Sequence, residues 1–73
     1  MKYGVFLFNT TTAAMQAQKA LSLKGYSSTL IPAPSQFHSP SGTAVRFNWM
    51  EQAELQEILK KANVQIQSVQ EIV

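Results

Sequence analysis

No cysteine occurs in the 73 residues. That absence removes disulfides, thiolate metal sites, iron–sulfur clusters and cysteine nucleophiles together. Histidine occurs once, at His38, so a metal site built on two imidazoles is excluded as well. Aspartate is missing, and the acids Glu51, Glu54, Glu57 and Glu71 all fall in the last third of the chain. No Ser-His-Asp set can form, and no carboxylate pair is placed for shared acid–base work, so the chain is expected not to be an enzyme and to carry no cofactor. Charge is sparse too: 14% of residues, with six Lys and Arg against four acids for a net +2. The six cations are scattered at Lys2, Lys19, Lys24, Arg46, Lys60 and Lys61, whereas nucleic-acid binders gather theirs on one face, so a nucleic-acid partner is not expected. The apolar run 5–8 is far short of the roughly 18 residues of a membrane span. No small-residue cleavage site follows a separate apolar segment, so the start reads as a strand rather than a signal peptide. No membrane association and a cytoplasmic location are the expectations.

What remains is enough for a folded unit. A hydrophobic fraction of 45% argues against disorder, and 73 residues leave room for a single domain spanning 1–73. Residues 3–8 (YGVFLF) are almost all apolar and rich in aromatics, the composition of a central strand covered on at least one face. Three threonines follow and offer N-caps for a helix in which Ala13, Ala17, Ala20, Leu21 and Lys24 keep helical spacing, closed by Gly25. Residues 26–31 have strand composition and end at Pro32. Residues 32–42 (PAPSQFHSPSG) read as a loop, and residues 43–47 alternate as a strand with one buried face. Asn48 and Glu51 form a capping-box pattern for a second helix with an apolar stripe of Leu55, Ile58, Leu59 and Ala62. Asn63 is a candidate left-handed cap, and residues 64–73 supply a last strand suited to a sheet edge.

That order, βαββαβ, with right-handed crossovers, closes as a ferredoxin-like α+β sandwich: a four-stranded antiparallel sheet of order 4-1-3-2 with both helices on one face. The first strand then ends beside the 32–42 loop, bringing Thr10, Thr11 and Thr12 toward His38, Ser39, Ser41 and Gly42. Such a corner suits a small anion or nucleotide, since a helix N-terminus offers free N–H groups, although caps and turns use these residue types everywhere. The other sheet face is expected to lack cover from the chain itself. β1 must present either Tyr3, Val5 and Leu7 or Phe6 and Phe8 there, and Phe6 and Phe8, with Ala44 and Arg46, are the candidates to line it as a surface for a protein partner or a second copy. Aromatics and Arg46 there loosely match the base-stacking sheets of RNA-binding modules, but the glycine-aromatic signature of those modules is missing around residues 43–48. Trp49 and Met50 are expected to pack at the edge of the core.

Over nearly its full length the chain resembles a family of short bacterial and archaeal proteins described as putative selenium/sulfur carrier protein-like. The match rests on FLFNTTTAA, Gly25, the LIPAP segment with Pro32 and Pro34, and the SPSG end of the loop before TAVRF. The resemblance implies an Arg after the second proline and a Cys-Gly leading into the third strand. Here Ser35 stands at the first of those positions, and Ser41, beside Gly42, at the second. The implied cargo, sulfur or selenium held as a persulfide or selenosulfide, needs a nucleophilic thiolate, which a serine hydroxyl cannot replace. The resemblance therefore implies either a member that keeps the fold for an interaction role or a carrier whose cysteine has been exchanged for Ser41.

Overall fold

The computed structural model describes residues 2–72. Strand β1 (Tyr3–Leu7) leads into helix α1 (Thr11–Leu23), followed by β2 (Ser28–Pro32) and β3 (Thr43–Asn48). A 3-10 turn (Trp49–Glu51) precedes helix α2 (Gln52–Lys61), and β4 (Ser68–Ile72) completes the sheet. The sheet is antiparallel with order β2-β3-β1-β4, the expected arrangement read from the opposite edge. Among the described residues no helix is long and apolar enough to cross a membrane.

Both helices are bounded by local chemistry. Thr10 caps α1 by accepting the Ala13 N–H at 3.1 Å. At its end the Tyr26 N–H bonds the Leu21 carbonyl and the Gly25 N–H bonds that of Ser22, a Schellman motif in which Gly25 takes φ +84°. The second helix ends the same way, with the Val64 N–H on the Leu59 carbonyl, the Asn63 N–H on that of Lys60, and Asn63 at φ 60°. Its start differs from the expected capping box. Asn48 accepts the Met50 N–H at 3.1 Å, one residue earlier than a box requires, and the 3-10 turn intervenes, so Glu51 precedes α2 without a side-chain cap. The apolar stripe of α2 stops at Leu59, because Ala62 is the exposed C-cap. The last strand begins at Ser68 rather than 64, since Val64 is committed to the Schellman bond and buried; its expected end at residue 73 lies outside the described residues.

Under the helices, Phe6, Phe8, Val45 and Phe47 meet Ala14, Ala17, Leu21, Leu55 and Leu59 in one fully buried cluster. Phe6 and Phe47 stack with ring centroids 4.1 Å apart, and Trp49 continues the stack at 6.0 Å. Gly4 makes that stack possible: a Cβ there would lie 2.7 Å from Phe47 Cζ and would also strike the Trp49 ring. Trp49 thus packs against the core as expected, whereas Met50 is 80% exposed, its side chain turned out of the 3-10 turn.

The register sorts the strand residues into faces and corrects one expectation. Val5 pairs with Arg46 and Leu7 with Ala44, so these share the face away from the helices, whereas Phe6 pairs with Val45 on the helix side. Phe6 and Phe8 therefore do not line an open surface; both are completely buried against the helices. The second face is not bare either. Val5, Leu7 and Ala44 are at most 1% exposed, because Phe37 and Ala33 of the 32–42 loop pack over them together with Ile31 and Ile72. At the far end of this face the Arg46 guanidinium lies 4.8 Å from the centre of the Tyr3 ring.

Candidate functional site

The loop joining β2 to β3 is built from two tight turns. The Phe37 N–H closes one onto the Pro34 carbonyl, and the Gly42 N–H closes the other onto that of Ser39. The Ala33 N–H bonds the Gly42 carbonyl at 3.0 Å and seals the base of the loop, after which Gly42, at φ +70°, turns the chain into β3. These closures leave Phe37 pointing at the sheet and bring Ser39 to the end of β1, as the topology requires.

Where loop and strand meet, two serines replace a missing bond of the sheet. Trp49 donates its N–H to the Lys2 carbonyl, so odd-numbered β3 residues bond β1; continuing the register sets Thr43 opposite Phe8. There the Thr43 N–H reaches Ser41 Oγ at 3.2 Å instead, Ser41 Oγ lies 3.3 Å from Ser39 Oγ, and Ser39 Oγ donates to the Phe8 carbonyl across a long 3.4 Å. Each hydroxyl has one proton and two lone pairs, so the chain Thr43 N–H to Ser41 to Ser39 to Phe8 O satisfies every group once. Ser41 also lies 3.2 Å from the Thr43 carbonyl, a competing use of its single proton. The two hydroxyls thus splice β1 to β3 after the strands diverge, which is why β1 ends at Leu7.

The remaining candidates divide. Thr10 is consumed as the cap of α1, while Thr11 and Thr12 are exposed and, as the first two helical residues, have N–H groups with no partner inside the helix. His38 is exposed at the loop tip, and Gly42 serves the turn. Ser39 and Ser41 come together at the end of β1, but their hydroxyls are engaged with backbone groups rather than presented to solvent. Of the four residues expected on an open face, Ala44 and Arg46 lie on the face away from the helices, Ala44 beneath the loop and Arg46 against Tyr3. Among the described residues no three His, Cys, Asp or Glu are grouped to hold a metal ion.

One feature lay outside the sequence reading: a groove of about 690 Å³ between α1 and the outer edge of β2, walled by Met15, Lys19, Leu23, Tyr26, Ser28 and Leu30. Its only sequence signal is that Met15 and Leu23 lie off the Ala14–Ala17–Leu21 stripe of α1, and they are 56% and 77% exposed. Tyr26, on the groove's rim, donates its hydroxyl to Glu54 of α2 at 3.2 Å. That bond raises the phenol's pKa above the ordinary value, helped by desolvation and by the charges of Glu54 and Glu51.

A family model described as Putative Se/S carrier protein-like matches residues 3–71. No curated protein and no solved structure matches.

Proposed function

The chain belongs to the Putative Se/S carrier protein-like family, and from that membership we propose that it is a non-enzymatic protein-binding member that uses the carrier fold without carrying sulfur or selenium. A persulfide or selenosulfide requires a thiolate, and the chain has no cysteine. The observation that carries the reading is the part played by Ser41. At the position where the resemblance puts the cargo cysteine, its hydroxyl is one half of the bridge between Thr43 and Phe8. A cargo group there would have to leave that bridge, whereas a serine working as structure has no reason to.

Crosslinking the chain in its native host, with native mass spectrometry of the purified protein, tests the proposal. A protein partner recovered in near-stoichiometric amount, and equally with Ser41→Ala, is the expected result. A chain recovered alone with a small anion bound would replace it by the second reading, in which the free Thr11 and Thr12 N–H groups hold a phosphate or nucleotide.

A further inference from the structure

β2 is an edge strand, and its register states which of its backbone groups lack partners. The Ala33 N–H bonds the Gly42 carbonyl, so by the antiparallel alternation Ile31 and Thr29 bond β3, while Ser28, Leu30 and Pro32 turn their backbone groups outward. Pro32 has no N–H, so the free edge offers the N–H groups of Ser28 and Leu30 and the carbonyls of all three. Alongside runs the groove between α1 and β2. Met15 and Leu23 stand exposed on its helical wall, and Ser28 Oγ, shielded from water, has no hydrogen-bond partner.

Within the groove wall the charge is of one sign. Lys19 is the charged residue in the groove wall, and the carboxylate at the rim, that of Glu54, is held by the Tyr26 hydroxyl. Pairing β2 with β2 of a second copy would bring together two groove walls whose charged residue is the same, Lys19. On the other edge, β4 carries an acid, Glu71, which pairs with Lys2 at 3.7 Å.

Granted the protein-binding reading above, we propose that β2 accepts an extended, acidic segment of a partner protein as a fifth strand of the sheet. An apolar side chain of that segment sits over Leu30 between Met15 and Leu23, and its flanking carboxylates face Lys19. Strand addition of this kind takes affinity from main-chain hydrogen bonds and selectivity from alternate side chains in the adjoining groove. The missing Pro32 N–H ends the pairing at that point and keeps the added strand short.

The probe is an acetylated and amidated peptide of alternating glutamate and leucine, titrated into the isotopically labelled chain and followed by NMR. The amides of Ser28 and Leu30 and the side-chain signals of Met15 and Leu23 should shift together, with β4 unmoved. N-methylating the peptide amides on its bonding face should abolish the shifts. Replacing its glutamates by lysines should weaken binding roughly fivefold, and Lys19→Glu, an exposed change that leaves the fold alone, should reverse that preference. Equal affinity for the two peptides, shifts confined to β4 or the loop, or no shifts at millimolar peptide overturns the proposal. Concentration-dependent shifts of Ser28 and Leu30 without peptide would do the same and make a second copy the occupant. If the titration fails while crosslinking still recovers a partner, only this edge is wrong; if crosslinking recovers none, the protein-binding reading itself falls.

Discussion

The two faces of β1 are equally dry and differently held. Phe6 and Phe8 on one side, Val5 and Leu7 on the other, are all at most 1% exposed. Yet the first pair is buried by two helices, each fixed by a Schellman closure, and the second by a loop whose main apolar contact is Phe37. Burial of a strand residue therefore says nothing by itself about how firmly its cover is attached. The helix-side cluster draws on α1, α2 and the aromatic stack over Gly4, while the other depends on two turns, one half-buried ring and a pair of serines.

The sharpest way to break that comparison is to truncate one aromatic on each side. Phe6→Ala should cost about 3–5 kcal/mol, a large fraction of the stability of a domain this small, and urea denaturation should find the variant mostly unfolded. Phe37→Ala should cost about 0.8–1.5 kcal/mol, half the value of a fully buried side chain. Amide exchange should then accelerate over residues 34–42, and over Val5 and Leu7, with the helices unchanged. Equal losses from the two variants would mean that the loop belongs to the same cooperative core.

Ser41 refines the comparison at the point where loop and sheet join. Ser41→Ala should cost about 1 kcal/mol by opening the bridge, with Thr43 the amide whose exchange rises most. Ser41→Cys should keep the fold. Its thiolate would accept the Thr43 N–H and the Ser39 hydroxyl, so its pKa should fall below the free value of roughly 8.5. Alkylation rate against pH, compared with Ser35→Cys at an exposed position of the same loop, reads this. A midpoint at or above that of the Ser35→Cys variant would show that the corner does not activate a thiol.

The smallest expected effect lies at the rim of the groove. With the Tyr26 pKa raised in the folded state, the contribution of its bond to Glu54 is present below the phenol's unfolded value and lost as pH rises through the higher folded one. Glu54→Gln should lower the midpoint of the Tyr26 tyrosinate absorbance titration and leave the midpoint of urea unfolding at neutral pH nearly unchanged. A midpoint that does not move would show that Glu54 has no hold on the phenol.

Most of the architecture was legible because local chemistry and topology agree. The threonine run supplies the cap at Thr10, Gly25 and Asn63 take the positive φ that closes their helices, and right-handed crossovers leave one sheet order. The facing of β1 was not legible, for a definite reason. Tyr3, Val5 and Leu7 are as apolar as Phe6 and Phe8, so a period of two carries no information about which set meets the helices. The cover over Val5 and Leu7 was hidden for another: it comes from a proline- and serine-rich stretch whose only large apolar residue is Phe37. The meeting of loop and β1 was foreseen from topology, but the serine bridge depends on how far two strands diverge, a distance that composition does not carry.

The sheet order also sets a timetable for the nascent chain. β1 is made before the other strands, yet its two neighbours are β3, some forty residues later, and β4, the last strand of the sheet to be made. Until Thr43–Asn48 has emerged, YGVFL has no strand to pair with, and until Ser68–Ile72 follows, one of its edges stays open. Helix α1 and the β2–β3 hairpin can form while synthesis continues, because their contacts are local. The most apolar strand of the domain thus waits unpaired until β3 is made, and the sheet closes around it only when β4 follows.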